Sequence, residues 1–273
     1  MEDRKVRVLA NQTLGPGICC LWVDAPLVAA SEKPGEFVMA ICGKGSDPLL
    51  RRAISVHRYG PRMLENDPEG PHPEWVTPTS IALMFNADGL ARGWLGKREA
   101  GEEIQVLGPL GRGYEIDPGA RHLLMGGGGT GLAPLIALAD QAISSGRSVT
   151  ILSAGRTASL LYPKEWVQPQ VEYVEVTEDG SAGERGLITD CLSKYVRNAD
   201  QVFLCGPVPM YKAVRDTWKA QGISVPTQVL LEVRMACGFG ICYGCSVFTT
   251  SGVRMVCLDG PRFDLNEVDW DKL

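Results

Sequence analysis

Four cysteines placed close together near the C-terminus restrict the fold more than any other feature of this sequence. They follow the spacing Cys237-x4-Cys242-x2-Cys245-x11-Cys257. In a reducing compartment such a group of thiols indicates metal or redox chemistry rather than disulfide bonds. Glycines at positions 238, 240 and 244 lie inside the segment. Glycine permits the backbone dihedrals with which a loop points its N–H groups at a bound centre.

This asymmetric spacing is typical of the ligands of a [2Fe–2S] cluster. A two-residue turn at Ser251-Gly252 would pair Thr250 with Val253, Phe248 with Met255 and Ser246 with Cys257. The last cysteine would then return to within one residue of Cys245. The alternatives are a structural zinc site and buried thiols that lie together by coincidence. Zinc sites usually use paired C-x2–4-C knuckles. We therefore predict a [2Fe–2S] cluster held by Cys237, Cys242, Cys245 and Cys257.

Length and charge exclude several classes of protein. A chain of 273 residues suits two domains and a short appendage. A net charge of −5 argues against a nucleic-acid partner, which requires a basic face. The most apolar stretch, residues 132–143, is interrupted by Pro134 and Asp140, so no membrane span is predicted. The first residues lack the apolar region of a signal peptide, and a cytoplasmic location is expected.

The first part of the chain has the pattern of short strands separated by turn residues. This spacing predicts a small antiparallel β-barrel, and residues 108–119 are the natural domain boundary. Residues 59–78 are rich in Pro, Gly and acidic residues and are predicted to form a long surface loop. The candidate strands are residues 18–23, 36–41, 53–56, 80–85 and 103–107.

From Arg121 onward, apolar strands alternate with helical segments, which predicts a parallel sheet with helical crossovers. Predicted strands cover residues 122–125, 148–153, 171–176 and 201–205, and predicted helices cover 132–144, 187–195 and 208–221. The fold class is thus α+β and multi-domain. We expect a barrel domain at 1–115, a nucleotide-binding α/β domain at 116–228 and a cluster-binding segment at 229–273.

A glycine-rich turn, residues 126–131, joins the first of these strands to a helix. Such a turn binds phosphate through free N–H groups at the start of the helix. It differs from the standard dinucleotide fingerprint, because Pro134 occupies the third glycine position. A tight strand–helix turn without a ligand is the alternative. Cys205 and Gly206 end another strand, and ligands of open sheets lie at that edge.

These motifs together resemble the ferredoxin-NADP-reductase superfamily, and most closely the electron-transfer subunits of NAD-dependent dihydroorotate dehydrogenases. The resemblance covers nearly the whole chain, and the segment around the cluster cysteines is its most specific part. The matching segments are residues 34–38, 52–55, 107–111, 127–135, 177–180, 205–207 and 235–245.

The resemblance implies a set of cofactor contacts. Arg52 would hold an FAD phosphate, and Ala53, Ile54 and Ser55 would lie along the flavin, with Ser55 near its reactive nitrogen. The next FAD-contacting strand would contribute Met84, Phe85 and Asn86. Ala91 and Arg92 stand where the family usually has Gly-Thr near the FAD pyrophosphate. Gly128, Thr130 and Gly131 would approach NAD(H), with Cys205 and Gly206 near the nicotinamide.

It also implies a function. The chain would pass electrons between NAD and an FMN-containing dihydroorotate dehydrogenase subunit, which oxidises dihydroorotate to orotate in pyrimidine biosynthesis, in a heterotetramer of two copies of each. Such a subunit needs no general acid or base, and His57, His72 and His122 form no cluster. The alternatives are a diaphorase-like subunit of a hydrogenase or flavin-based transhydrogenase, and a redox-sensing protein. The preference for NADH or NADPH stays open at Arg156.

Overall fold

The computed structural model describes residues 1–45, 47–66 and 73–273. Its first half is a closed barrel of six antiparallel strands in the order β1-β2-β5-β4-β3-β6, which confirms the predicted barrel. The strand β1 was not predicted, because its first residues, 2–7, are charged at every position except Val6. The strands are β1 (Glu2–Gly15), β2 (Ile18–Asp24), β3 (Phe37–Ala40), β4 (Arg52–Tyr59), β5 (Ser80–Asn86) and β6 (Glu103–Leu110).

Three short helices accompany the barrel: α1 (Pro26–Ala29), α2 (Gly60–Asn66) and α3 (Gly89–Leu95). The helix α2 corrects part of the loop predicted for residues 59–78, of which residues 67–72 lie outside the described residues. Local composition is unfavourable for a helix there. Met63 and Leu64 nevertheless pack against the core between the two domains, and Arg62 forms an ion pair with Glu32. Tertiary packing therefore stabilises this helix.

The second half contains a seven-stranded sheet in the order β10-β9-β8-β7-β11-β12-β15, in which only β15 is antiparallel to its neighbour. Helix α4 covers the face of the sheet that is turned towards the barrel, and α5 and α6 share a core on the other face. The predicted parallel sheet with crossovers is confirmed. Its elements are β7 (His122–Gly128), α4 (Leu132–Ser144), β8 (Ser148–Gly155), β9 (Glu172–Thr177), β10 (Glu184–Arg185), α5 (Ile188–Tyr195), β11 (Gln201–Cys205), α6 (Val208–Gln221), β12 (Thr227–Leu230) and β15 (Arg262–Asp264).

The C-terminal segment is folded onto the α/β domain. It contains the hairpin β13 (Ser246–Thr249) and β14 (Gly252–Met255), the short helix α7 (Val256–Asp259) and the edge strand β15. The strand β12 crosses the expected limit at residue 228, and Trp270 is buried against Tyr211. The limits 1–115, 116–228 and 229–273 stay predictions.

The hairpin register differs from the predicted one. Phe248 pairs with Val253 instead of Met255, and Ser246 pairs with Met255 instead of Cys257. The two-residue turn is Thr250-Ser251, so the pairing of Thr250 with Val253 was also wrong. Glycine at 252 has a φ of +104° and begins the second strand, whereas the prediction placed it inside the turn. Within the described ranges, no helix is long and apolar enough to cross a membrane.

Candidate cofactor sites

A cavity of about 540 Å³ opens between the barrel and the α/β domain. Eight of the predicted site residues lie in its wall, which brings together four separate parts of the chain: Arg52, Ala53, Ile54, Ser55, Met84, Phe85, Arg92 and Thr130. The strands β4 and β5 are neighbours in the barrel and supply most of this wall. A volume of this size is typical of small-molecule and cofactor sites. A second groove of about 600 Å³ lies elsewhere, against α6 and the C-terminal segment.

Four arginines line the cavity, namely Arg51, Arg52, Arg92 and Arg234. The guanidinium of Arg52 donates to the carbonyl oxygen of Leu50 at 2.5 Å. Its neighbour Arg51 is paired with Asp3 at 2.6 Å, whereas within the described ranges Arg52 has no carboxylate partner. Arg92 enters the cavity from α3. An arginine that is free of carboxylates is well suited to bind a phosphate, because its planar fork of donors matches phosphate oxygens.

The remaining predicted residues lie next to the cavity. Asn86 ends β5 and pairs with Ile18, and Ala91 is buried in α3. Gly128, Gly131, Cys205 and Gly206 form the turn region beyond Thr130, where the strands β7 and β11 end.

The glycine-rich turn fits tightly against the end of β11. A Cβ atom at Gly131 would lie 2.4 Å from the carbonyl oxygen of Cys205, and one at Gly128 would lie 2.5 Å from that of Ala154. Gly129 has a φ of +54°, a left-handed backbone conformation that favours glycine. The turn thus places Gly131 and Cys205 side by side, as a shared nucleotide site requires.

The backbone of Gly206 is already occupied. Its N–H group donates to the hydroxyl of Tyr211 at 2.7 Å, and that hydroxyl donates to the carbonyl oxygen of Leu230 at 2.8 Å. This N–H group therefore orders the turn after β11 and is not a spare donor for a nucleotide. Gly206 is therefore predicted to lie near the nicotinamide without donating a backbone hydrogen bond to it.

Glu232 is a cavity residue that was not predicted from the sequence. It lines the cavity beyond β12, and its Oε1 atom lies 3.8 Å from the buried thiol of Cys205. Burial raises the pKa of Glu232, while Arg92 acts in the opposite direction. The same burial, together with Glu232, raises the pKa of Cys205 well above its usual value. The sequence signal for Glu232 is weak, because it is a single acidic residue between an apolar strand and Cys237.

The four clustered thiols form two pairs. Cys245 and Cys257 are buried with their sulfur atoms 3.3 Å apart, and the backbone N–H group of Cys257 points at the sulfur of Cys245. Cys237 and Cys242 are near enough for a hydrogen bond between their side chains. Cys257 therefore lies beside Cys245 as predicted, although the hairpin register was wrong. The start of α7, and not the hairpin pairing, returns Cys257 to Cys245.

The loop stabilises the thiolate of Cys237. Burial pushes the pKa of Cys237 upward, but the backbone N–H groups of Phe239, Ile241 and Cys242 outweigh it and lower the pKa to about 6. Positive φ angles at Gly238 and Gly240, +83° and +90°, turn the backbone towards the sulfurs. Two adjacent pairs of cysteines suit a cluster of two irons. Among the described residues, no three potential ligands converge tightly enough for a single metal ion.

Comparisons with known proteins agree with this geometry. Residues 232–269 match the model of the iron–sulfur cluster binding domain of dihydroorotate dehydrogenase B. Residues 125–216 match the oxidoreductase NAD-binding domain. The solved NADH-dependent reduced ferredoxin-NADP oxidoreductase is 27% identical, with a TM-score of 0.80 over 98% of this chain and 91% of the other. A ferredoxin reductase of carbazole 1,9a-dioxygenase, 20% identical, shares the fold, with a TM-score of 0.63 over 82% and 67% of the chains.

Curated relatives match nearly the whole length of the chain. The electron transfer subunit of dihydroorotate dehydrogenase B (NAD(+)) from Desulforamulus reducens is 32% identical over 97% of both chains. That of a Geobacillus species is 31% identical over 98% of this chain and 99% of the other. FAD, a [2Fe–2S] cluster and NAD(H) match the cavity, the paired thiols and the glycine-rich turn. This oxidoreductase chain therefore belongs to the family of electron transfer subunits of dihydroorotate dehydrogenase B.

Proposed function

We propose that this chain passes electrons between NAD and an FMN-containing dihydroorotate dehydrogenase subunit, in a heterotetramer of two copies of each. One observation carries the proposal. Residues 230–235 form a wall of the cavity, and the first cluster ligand, Cys237, follows two residues later. The cluster is therefore next to the flavin cavity, and the flavin cavity is next to the glycine-rich turn through Thr130. Electrons can pass along this series without a movement of domains.

The residues divide into three groups by role. Arg52 and Arg92 hold FAD phosphates, with Ala91 near the pyrophosphate. Ile54 and Ser55 contact the flavin ring, and Ala53, Met84, Phe85 and Asn86 also contact FAD. The turn residues Gly128, Thr130 and Gly131 bind NAD(H), with Cys205 and Gly206 beside the nicotinamide. Bound flavin supplies the conversion between two-electron exchange and single electrons, so the chain itself has to bind, orient and exclude water.

The surface around the cluster supports a protein partner. The loop side chains Phe239, Ile241 and Tyr243 are 38%, 68% and 67% exposed. This exposure disfavours an inward packing of these side chains on the barrel. Apolar side chains grouped on a surface mark interaction sites, and the core of an interface is rich in aromatic residues. A partner that covers this loop also brings its own cofactor close to the cluster.

The proposal is tested by co-purification with an FMN-containing dihydroorotate dehydrogenase subunit. Phe239→Glu should retain FAD and iron but lose association, because a charge would be buried in the interface. Leu187→Glu, at a position 53% exposed before α5, is the matched control and should associate normally. If the isolated chain oxidises dihydroorotate with NAD and no second protein, the proposed division of labour is wrong.

A second candidate function has one observation in its favour. The similarity to the NADH-dependent reduced ferredoxin-NADP oxidoreductase extends over 98% of this chain, and transhydrogenase subunits share the same motifs. The curated relatives at higher identity favour dihydroorotate dehydrogenase. Electron donors separate the two functions: reduction of the cluster by dihydroorotate through an FMN subunit supports the first, and reduction only by a ferredoxin-linked partner supports the second.

A further inference from the structure

A buried polar network joins the flavin-bearing strand β4 to the nucleotide-bearing helix α4. We infer that this network, formed by His57, Arg58, Asp140 and Tyr162, is a positioning device that fixes the nicotinamide site relative to the flavin site. The inference concerns exchange between NADH and FAD within one chain. It therefore goes beyond the proposed partner and does not depend on the identity of that partner.

The first attachment is an ion pair between the two domains. Nη1 of Arg58 donates to Oδ2 of Asp140 at 2.8 Å, and the two side chains are only 5% and 4% exposed. The second terminal nitrogen of Arg58 donates to the carbonyl oxygen of Trp166, in the segment between β8 and β9. A charge-assisted bond with little access to water is strong and directional. It therefore holds β4 and α4 in one arrangement.

The second attachment lies at the beginning of the helix. Nδ1 of His57 is 3.3 Å from the carbonyl oxygen of Ala133, in the first turn of α4, and Nε2 is 3.1 Å from the hydroxyl of Tyr162. His57 is fully buried. Two attachments at residues 133 and 140 fix both the position and the direction of α4. A single attachment would leave the helix free to pivot.

The local geometry of β4 makes both attachments possible. Neighbouring side chains on a regular strand point to opposite faces. The pairing of β4 with β5 is irregular between Val56 and Arg58. Such an irregularity redirects side chains, so His57 and Arg58 both reach the α/β domain.

The network connects the elements that bear the two cofactor sites. Arg58 lies three residues beyond Ser55, about 10 Å along the strand. Asp140 lies nine residues beyond Gly131, about 13 Å along the helix. A strand and a helix are stiff over such lengths. Because the network holds β4 against α4, it also sets the distance between the flavin site and the nicotinamide site. Two-electron exchange depends steeply on this distance, and a displacement of 1 Å can cost about 10²-fold in rate.

The test replaces the ion pair with apolar side chains. The double variant Arg58→Met/Asp140→Leu leaves no uncompensated charge in the interior. It should keep FAD and iron and bind NADH within about threefold of the unmodified protein. The rate constant for FAD reduction by NADH, measured anaerobically without a partner, should fall at least about tenfold. The long-wavelength charge-transfer absorbance of reduced protein with NAD⁺ should weaken in parallel.

A matched control removes another ion pair. Arg98→Met/Glu102→Leu eliminates a pair of 2.6 Å within the barrel domain and should leave the rate and the absorbance unchanged. A double variant at Arg58 and Asp140 that keeps the normal rate and absorbance would overturn the inference. If that variant fails to bind FAD, Tyr162→Phe takes its place. It removes one hydrogen bond to His57 and should lower the rate about threefold, whereas an unchanged rate would overturn the inference.

Discussion

The substitution Gly131→Ala tests why the turn before α4 contains glycine. Gly131 has a φ of −63°, a helical value that any residue can adopt. Only close approach requires glycine, since the new Cβ would lie 2.4 Å from the carbonyl oxygen and 3.1 Å from the carbonyl carbon of Cys205. Both obstacles are backbone atoms that cannot rotate away. The turn or the end of β11 must therefore move.

The size of this movement follows from the contact distance. Ordinary van der Waals contact begins near 3.4 Å, so the two segments must separate by about 1 Å. Overpacking of this kind costs about 1–3 kcal/mol of stability. A displacement of 1 Å between reacting groups can lower a rate about 10²-fold. We expect Gly131→Ala to bind FAD normally. NADH should reduce the FAD of this variant about 10²-fold more slowly than that of the unmodified protein, as measured by stopped-flow absorbance.

Gly146→Ala is the control for a simple loss of stability. Gly146 follows the other end of α4, has a φ of +74° and would meet no atom within 4 Å. Strain from the left-handed backbone costs about 1–2 kcal/mol, similar to the cost at Gly131. Gly146→Ala should unfold at a lower temperature than the unmodified protein, but NADH should reduce its FAD at the normal rate. If Gly131→Ala is also reduced within twofold of the normal rate, close packing against Cys205 does not position the nucleotide.

Three further predictions concern other residues. Cys242→Ser should lose the cluster absorbance and about two irons per chain but keep FAD, and a variant that keeps its iron would exclude Cys242 as a ligand. Arg52→Ala should weaken FAD binding by about 1.5–3 kcal/mol, whereas Arg51→Ala should not, because Arg51 pairs with Asp3; equal calorimetric affinities would refute this role. Burial lowers the pKa of His57 from 6.5 to about 3, so unfolding takes up a proton between these values and stability falls with falling pH. Relative to His57→Gln, the unmodified protein should lose about 2 kcal/mol more between pH 7 and pH 5 in urea unfolding, and parallel losses would contradict a neutral buried His57.

Patterns that are local in sequence predicted their structures well. The helices at 132–144 and 208–221 begin and end where the sequence indicated, because their turns and periodicity are local signals. The strand 201–205 did so as well. The hairpin register failed because a turn at Thr250-Ser251 and one at Ser251-Gly252 differ by a single residue, and the contacts of the whole C-terminal segment choose between them. The helix α2 and the edge strand β15 depend likewise on packing against distant residues.

The sequence by itself determined which chemical groups are present: four thiols at cluster spacing, a glycine-rich turn and an arginine on a barrel strand. These signals are readable because each ligand group lies within a short segment, where spacing alone restricts the geometry. Only the tertiary structure decided that Glu232 lies against Cys205, and that Arg58 and Asp140 form a buried pair. The latter two residues are 82 positions apart. Their pairing depends on how the barrel packs against α4, and no local pattern encodes a contact between surfaces that meet only after both domains have folded.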